Sequence, residues 1–352
     1  MGLIRLLLAI SVIALHIGPV LGLTFAGGTI AVQVFYIISG FYMCMVLSTK
    51  YNNIILFYTN RLLKLYPIYF ISLLCYVLIA SISLFFLNNG VLLERFSNFQ
   101  SLDAIGKSLV VFTNLSIWGQ DLLFILGFNI ETHSWFFEKD YIQSANPMHH
   151  YLIITQAWTI SLELSFYFLV PFLNKFSSRT LVLIVLSSLF LRFYTYSEGF
   201  NDKPWDYQFF PFELALFIGG MLSYRMLNSN LNTFETKWLQ KAVFVGVILF
   251  IFTYQFIPHL ELVKWLFYFV FVFALPFIFL FTKSNKLDRK IGELSYPVYM
   301  IHILVAIIVV NINKIKFIDG LIVTIVTIAC AVIVNYFVQR PIENYRVRRI
   351  KK

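Results

Sequence analysis

Leu3-Ile4-Arg5-Leu6-Leu7-Leu8-Ala9-Ile10-Ser11-Val12-Ile13-Ala14-Leu15-His16 opens an apolar run that continues to about residue 22. Its ionisable side chains, Arg5 and His16, stand eleven residues apart. At about 100° per residue they fall on nearly one helix face. With a rise of ~1.5 Å per residue, His16 lies roughly 16 Å beyond Arg5, near the middle of a ~30 Å hydrocarbon slab. An imidazole at that depth is costly and carries a functional expectation: a cation at one mouth of a pathway, a base at its midpoint.

Nine further apolar runs follow, at about 29–48, 64–87, 151–173, 180–197, 208–227, 238–257, 264–282, 291–311 and 320–339. With 59% hydrophobic and 12% charged residues, the expectation is an all-α polytopic membrane helix bundle of about ten transmembrane helices. A signal peptide is the poorer reading of the first run, because so many runs come after it. The bundle reads as a single domain over 1–345, with a short basic cytoplasmic tail, 346–352, and no soluble catalytic domain. One more run, 105–127, is interrupted by Thr113, Asn114, Ser116, Gly119 and Gln120. It reads as a possible re-entrant helix within an external segment, 88–150.

Most of the 27 lysines and arginines fall in loops on one side of this topology, among them Lys50, Lys175, Arg225 and Lys283. Acidic residues lean to the other side. By the positive-inside rule both termini are cytoplasmic. The net charge of +10 then reflects topology and an anionic lipid surface rather than a nucleic-acid partner. Cys44, Cys75 and Cys330 show no metal or disulfide spacing, and His133, His149 and His150 read as surface residues, so no metal site is expected.

Four helices of opposite direction place polar groups at a similar depth: His16, Ser39, Glu163 and His302. Glu163 shares a helix face with Tyr167 at i, i+4, and Trp158 precedes them; Tyr299 and His302 share a face at i, i+3. A carboxylate beside an imidazole fixes its tautomer and raises its basicity, the usual support of a general base. Helix-to-helix anchoring is the plainer role of such a pair. Arg61 and Lys64 form a small cationic cluster at the opening of the third run: either positive-inside anchoring or a phosphate clamp. Arg192 and Glu213 read first as an interhelical ion pair and second as contacts to an external substrate.

The runs resemble the acyltransferase 3 family of integral-membrane acyltransferases along nearly the whole chain. The matching pieces are Arg5 with His16; Val34-Phe-Tyr-Ile-Ile-Ser-Gly-Phe41; Arg61-Leu-Leu-Lys-Leu-Tyr-Pro67; Trp158-Thr-Ile-Ser-Leu-Glu-Leu-Ser-Phe-Tyr167; Phe210-Pro-Phe-Glu-Leu-Ala-Leu-Phe-Ile-Gly-Gly-Met221; and Ile291-Gly-Glu-Leu-Ser-Tyr-Pro-Val-Tyr-Met-Ile-His302. The chain departs from the family pattern at Lys64, where a second arginine is usual, and at Gln339-Arg340-Pro341, where a Glu-X-Pro-like element is common.

The resemblance implies transfer of an acyl group, most often acetyl, from cytoplasmic acyl-CoA to a hydroxyl of an extracytoplasmic or lipid-linked glycan. Acyl-CoA is a co-substrate, and no bound cofactor is expected. Arg61 and Lys64 would hold the donor's phosphates, Arg5 would guide it inward, and His16 would be the catalytic base supported by Glu163. Ser39, Trp158, Tyr167, Tyr299 and His302, together with Arg192 and Glu213, are the pore, acceptor or oxyanion candidates. The location implied is the cytoplasmic membrane. Some relatives carry a fused esterase-like domain, so a separate extracytoplasmic partner is the alternative to direct transfer. The rival class is a transporter that moves a glycan or small solute without acyl chemistry.

Overall fold

The computed structural model describes residues 1–87, 91–144, 146–201, 203–258, 261–313 and 320–351. Residues 88–90 and 145 of the expected external segment, and Lys352 of the expected tail, lie outside these. The chain runs α1 (Gly2–Ile17), α2 (Gly28–Thr49), α3 (Ile54–Leu87), α4 (Val91–Glu94), α5 (Ala104–Ser116), α6 (Leu122–Ile125), an antiparallel hairpin β1 (Leu126–Asn129) and β2 (Ser134–Phe137), then α7 (Trp158–Leu173), α8 (Ser178–Ser197), α9 (Phe210–Ser229), α10 (Lys237–Thr253), α11 (Glu261–Thr282), α12 (Lys286–Glu293), α13 (Ser295–Asn313), α14 (Gly320–Val334) and α15 (Arg340–Lys351). Among the described residues, seven helical stretches are long and apolar enough to cross a membrane. Large apolar side chains such as Leu183, Phe190 and Phe193 on α8 and Leu262, Leu266 and Phe269 on α11 point outward, as lipid-facing surfaces require.

Several boundaries differ from the sequence expectation, each for a local reason. The first run stops at Ile17 rather than near residue 22. Gly18 takes φ 132°, a conformation closed to other residues, and Pro19 follows it. A tight turn with a Val20–Leu23 bridge follows. His16 therefore sits in the last turn of α1. The third run begins ten residues earlier than expected, at Ile54, so Arg61 and Lys64 lie inside α3. The fourth begins at Trp158 rather than 151: both ends of the Asn114 amide bond the backbone of Tyr151 and Ile153, holding the preceding stretch in short 3-10 turns. Residues 105–127 form a 13-residue helix, a turn and one further helical turn, not a single span. The ninth run breaks at Leu294. The tenth passes through a wide π-turn, Asn335–Gln339, before α15; Pro341 cannot donate to the regular ladder there.

Two compact units emerge. The first comprises Met1–Ile68, Val170–Val182 and Leu216–Lys352; the second, Tyr69–Leu169 and Leu183–Ala215. In the first unit α1 packs on α2, α12 and α13. The N-terminal amine and the Gly2 and Leu3 N–H groups converge on the Asp288 carboxylate of α12. Glycines permit two close approaches. A Cβ at Gly2 would run into the Asp288 carbonyl, and Cβ atoms at Gly40 and Gly220 would run into the Phe217 and Ile37 carbonyls across the α2–α9 seam. The basic end of the chain is built into this unit: Arg346 is buried, and Arg349 donates to Asn60 Oδ1 and Thr59 Oγ1, both at 2.9 Å. In the second unit, Asn114, Tyr69 and Gln120 form a buried polar knot, with Tyr69 donating to the Asn114 carbonyl at 2.6 Å.

Candidate active site

In the first unit, the last turn of α1 brings His16 against His302 of α13. The rings stack with centroids 5.2 Å apart and 19° between planes, and His16 Nδ1 lies 3.0 Å from His302 Nε2. His302 Nδ1 stands 2.6 Å from the Tyr299 carbonyl oxygen. A carbonyl only accepts, so Nδ1 carries the His302 proton. His302 is fully buried, where a neutral ring avoids the cost of an enclosed charge. Its Nε2 then offers a lone pair, and His16 Nδ1–H must be the donor. That fixes the His16 tautomer and puts the His16 lone pair on Nε2, while His16 itself is exposed. The sequence reading placed both histidines at one depth; the structure brings them into contact. Tyr299 is the neighbour that orients His302 through its carbonyl, and its ring lies 5.9 Å from the His302 ring. Ser39 is buried in α2.

The three cations expected to hold a donor are placed differently from one another. Arg5 is half-buried in α1, its guanidinium beside Gly292. Arg61 is only 6% exposed. It donates to the Tyr51 hydroxyl at 3.4 Å and lies over the Tyr51 and Phe57 rings, so it presents no open fork to a phosphate. Lys64 lines a crevice of about 10 Å³ together with Gln339, Glu343 and Arg346. That is room for one water molecule. The Arg61–Lys64 pair is thus not the open surface cluster that its spacing suggested.

In the second unit, the Tyr167 hydroxyl donates to Glu163 Oε1 one turn back on α7. Trp158, at the head of that helix, packs edge-on against Phe124 and Tyr207. Arg192 pairs with the fully buried Glu213 and donates to the Asp206 carbonyl at 3.0 Å, so the interhelical ion pair expected of these two is present. Two features escaped the sequence. Ser161 donates to Asp121 Oδ1 at 2.5 Å and accepts from the Gly119 N–H at 2.8 Å. Burial pushes the Asp121 carboxyl up to about 6, although its bond from Ser161 pulls the other way. His149, expected at the surface, stacks on Phe124 at 4.7 Å instead. Burial, with His150 and Arg95 nearby, drives its imidazole down to about 3. A lone histidine or aspartate in a loop-rich stretch gives no sequence signal of burial.

With this geometry in hand, the comparison with known families is decisive: the chain matches the family described as an acyltransferase domain, Acyl_transf_3, over residues 1–336. It belongs to the acyltransferase 3 family, and its apolar helices make it a multi-pass membrane member. No curated protein and no solved structure matches it.

Proposed function

We propose that this protein transfers an acyl group, most often acetyl, from cytoplasmic acyl-CoA to a hydroxyl of an extracytoplasmic or lipid-linked glycan, with His16 as the general base. The observation that carries this reading is the Tyr299 carbonyl–His302–His16 chain, a fixed relay ending in an imidazole lone pair. A hydrogen-bonded partner on the far nitrogen is what a general base needs to hold its tautomer. In the proposed reaction His16 Nε2 takes the acceptor hydroxyl's proton as the oxygen attacks the thioester carbonyl. The C–S bond breaks, and the CoA thiolate leaves and takes up that proton. Glu163, with Tyr167 donating to it, is the second protonatable group of the proposal; Tyr167, Tyr299 and Ser39 are the donor candidates for the developing oxyanion. Trp158, Arg192 and Glu213 belong to the acceptor side, and Arg5, Arg61 and Lys64 to the donor side. Ten spans with cytoplasmic termini complete the proposed topology, in the cytoplasmic membrane, with a separate extracytoplasmic partner as the alternative to direct transfer.

Acyl-CoA-dependent acylation of glycan in membranes carrying wild type or His16→Ala, at matched expression, tests the proposal. A positioned base contributes ~10²–10⁴ in rate, so the variant should lose nearly all transfer. Full activity in a folded His16→Ala would return His16 to a structural role. Solute movement without donor turnover would establish the transporter instead.

A further inference from the structure

A polar cavity in the first unit lies away from the histidines. It is bounded by Ser48 near the end of α2, Asn174 after α7, Ser178 at the start of α8, and Arg225, Asn228 and Ser229 at the end of α9. Its volume is about 550 Å³, within the ~300–1,000 Å³ of small-molecule sites. Among the described residues that line it, Arg225 is the charged one. The guanidinium is held by neutral acceptors: Nη1 donates to the Phe176 carbonyl at 2.8 Å and to Ser178 Oγ at 3.3 Å, and Nη2 to the Asn174 carbonyl at 3.0 Å. None of the ion pairs among the described residues includes Arg225. A side chain with five N–H donors keeps capacity beyond these three bonds. The Ser178 O–H and the Asn228 amide add donors on the same wall.

We propose that this cavity seats the phosphate groups of the acyl donor. The inference rests on the acyl-CoA reading above and refines it by moving the seat. The Lys64 crevice admits a single water and Arg61 is enclosed, whereas the Arg225 cavity has the room, the fixed cation and the absence of carboxylates that a diphosphate needs. The positive-inside rule puts Lys50, Lys175 and Arg225 on the cytoplasmic side, the side where CoA is found.

Calorimetric titration of the full-length protein in detergent with free CoA tests the seat, using Arg225→Gln and Asn228→Asp. Asn228 is exposed and the aspartate leaves all three Arg225 anchors in place, so it answers the question if Arg225→Gln misfolds. At least tenfold weaker CoA binding in a folded Asn228→Asp is the expected result. Wild-type affinity in both variants overturns the seat and leaves the donor reading standing. If the wild type binds no CoA, the donor reading itself fails, and inorganic pyrophosphate is titrated into the same samples. Binding that Asn228→Asp weakens then keeps the cavity as a phosphate site for another ligand; equal or no binding overturns it. A lipid headgroup is the other source of phosphate. Phosphatidylglycerol retained by wild type and lost by Asn228→Asp, with CoA binding unchanged, assigns the cavity to lipid and overturns the donor seat.

Discussion

Replacing His302 by Phe removes the acceptor for His16 Nδ1–H while keeping a flat ring to stack where the imidazoles now lie 5.2 Å apart. A typical net hydrogen bond is worth about 0.5–1.5 kcal/mol, which sets a floor of roughly 2- to 13-fold in rate. The larger effect is on the tautomer. In wild type the Tyr299 carbonyl fixes His302 and His302 fixes His16; without the acceptor, His16 is free to move its proton to Nε2 and cease to be a base toward the hydroxyl. A wrong tautomer in a serine-protease triad reduces kcat by about 10⁴, which sets the ceiling. We expect kcat for acyl transfer to fall ~10²-fold, between those bounds, with the donor KM unchanged. The assay is transfer of labelled acyl from acyl-CoA in membranes, run as a double-mutant cycle with His16→Ala. If the relay is real, His302→Phe has almost no effect once His16 is gone. Multiplicative losses would mean that the two histidines act independently, and the relay would be abandoned.

The second unit yields a test of opposing pH effects. His149 is held at about 3 against a free value of 6.5, so its contribution to stability is complete above 6.5 and is lost as pH falls from 6.5 towards 3. Asp121 is raised to about 6 from 3.8, so its contribution is complete below 3.8 and is lost as pH rises from 3.8 through 6, up to about 3 kcal/mol. The protection factors of residues 146–157, exchange rates referred to the intrinsic rate at each pH, should therefore fall on acidification, and His149→Phe should blunt that fall; an unchanged acid response would remove His149 from the account. Ser161→Ala withdraws the hydroxyl bonded to Asp121 and should move the Asp121 carboxyl, followed by NMR, to a still higher value. Arg192→Ala leaves the buried Glu213 without its partner and should cost about 3–5 kcal/mol, read as a lower midpoint in thermal denaturation, with Glu213→Gln restoring part of it in the double variant. Gly40→Ala or Gly220→Ala forces the α2–α9 seam apart at a backbone carbonyl and should cost about 1–3 kcal/mol; a midpoint equal to wild type would show that the seam gives way freely.

Hydropathy located α2, α8, α9, α10 and α11 to within a few residues, because length and apolarity alone define a span. It failed where backbone chemistry decides. Gly18-Pro19 ends α1 inside an apolar run, a stop that apolarity alone does not register. Arg61 and Lys64 looked like the boundary of α3 because charges usually mark the interface; enclosure by Tyr51 and Phe57 lets Arg61 lie within the helix instead. Depth arithmetic at 1.5 Å per residue groups His16 with His302, Ser39 and Glu163, and the structure brings the two histidines into contact. Depth alone could not single out His302 among these groups, because rotation of one helix about its axis against another is set by packing. In the sequence Arg225 is one cation among many; two of its three anchors are backbone carbonyls, which carry no side-chain signature.

The partner that the structure gives His16 also makes physical sense of the site. A general base in water commonly leans on a carboxylate, which stays ionised at little expense. In a low-dielectric bundle an enclosed carboxylate without a matching cation costs several kcal/mol, or takes up a proton and stops accepting. The Glu213 carboxylate of this chain obeys that rule by pairing with Arg192. A neutral imidazole escapes the dilemma. Its Nδ1–H is satisfied by a backbone carbonyl that any helix provides one turn back, as Tyr299 does for His302, and its Nε2 remains an acceptor with no charge to desolvate. On the proposed reading, two histidines in series hold the base in one tautomer for the loss of one hydrogen bond to water at each ring, and the unprotonated His16 Nε2 is the atom that takes the hydroxyl proton. On this argument His302→Asp, which restores a carboxylate in a site built for a neutral ring, should be worse than His302→Gln, which offers an uncharged acceptor. Transfer rates in the opposite order would show that the site supports an ionised partner and that neutrality is not the reason for the pairing.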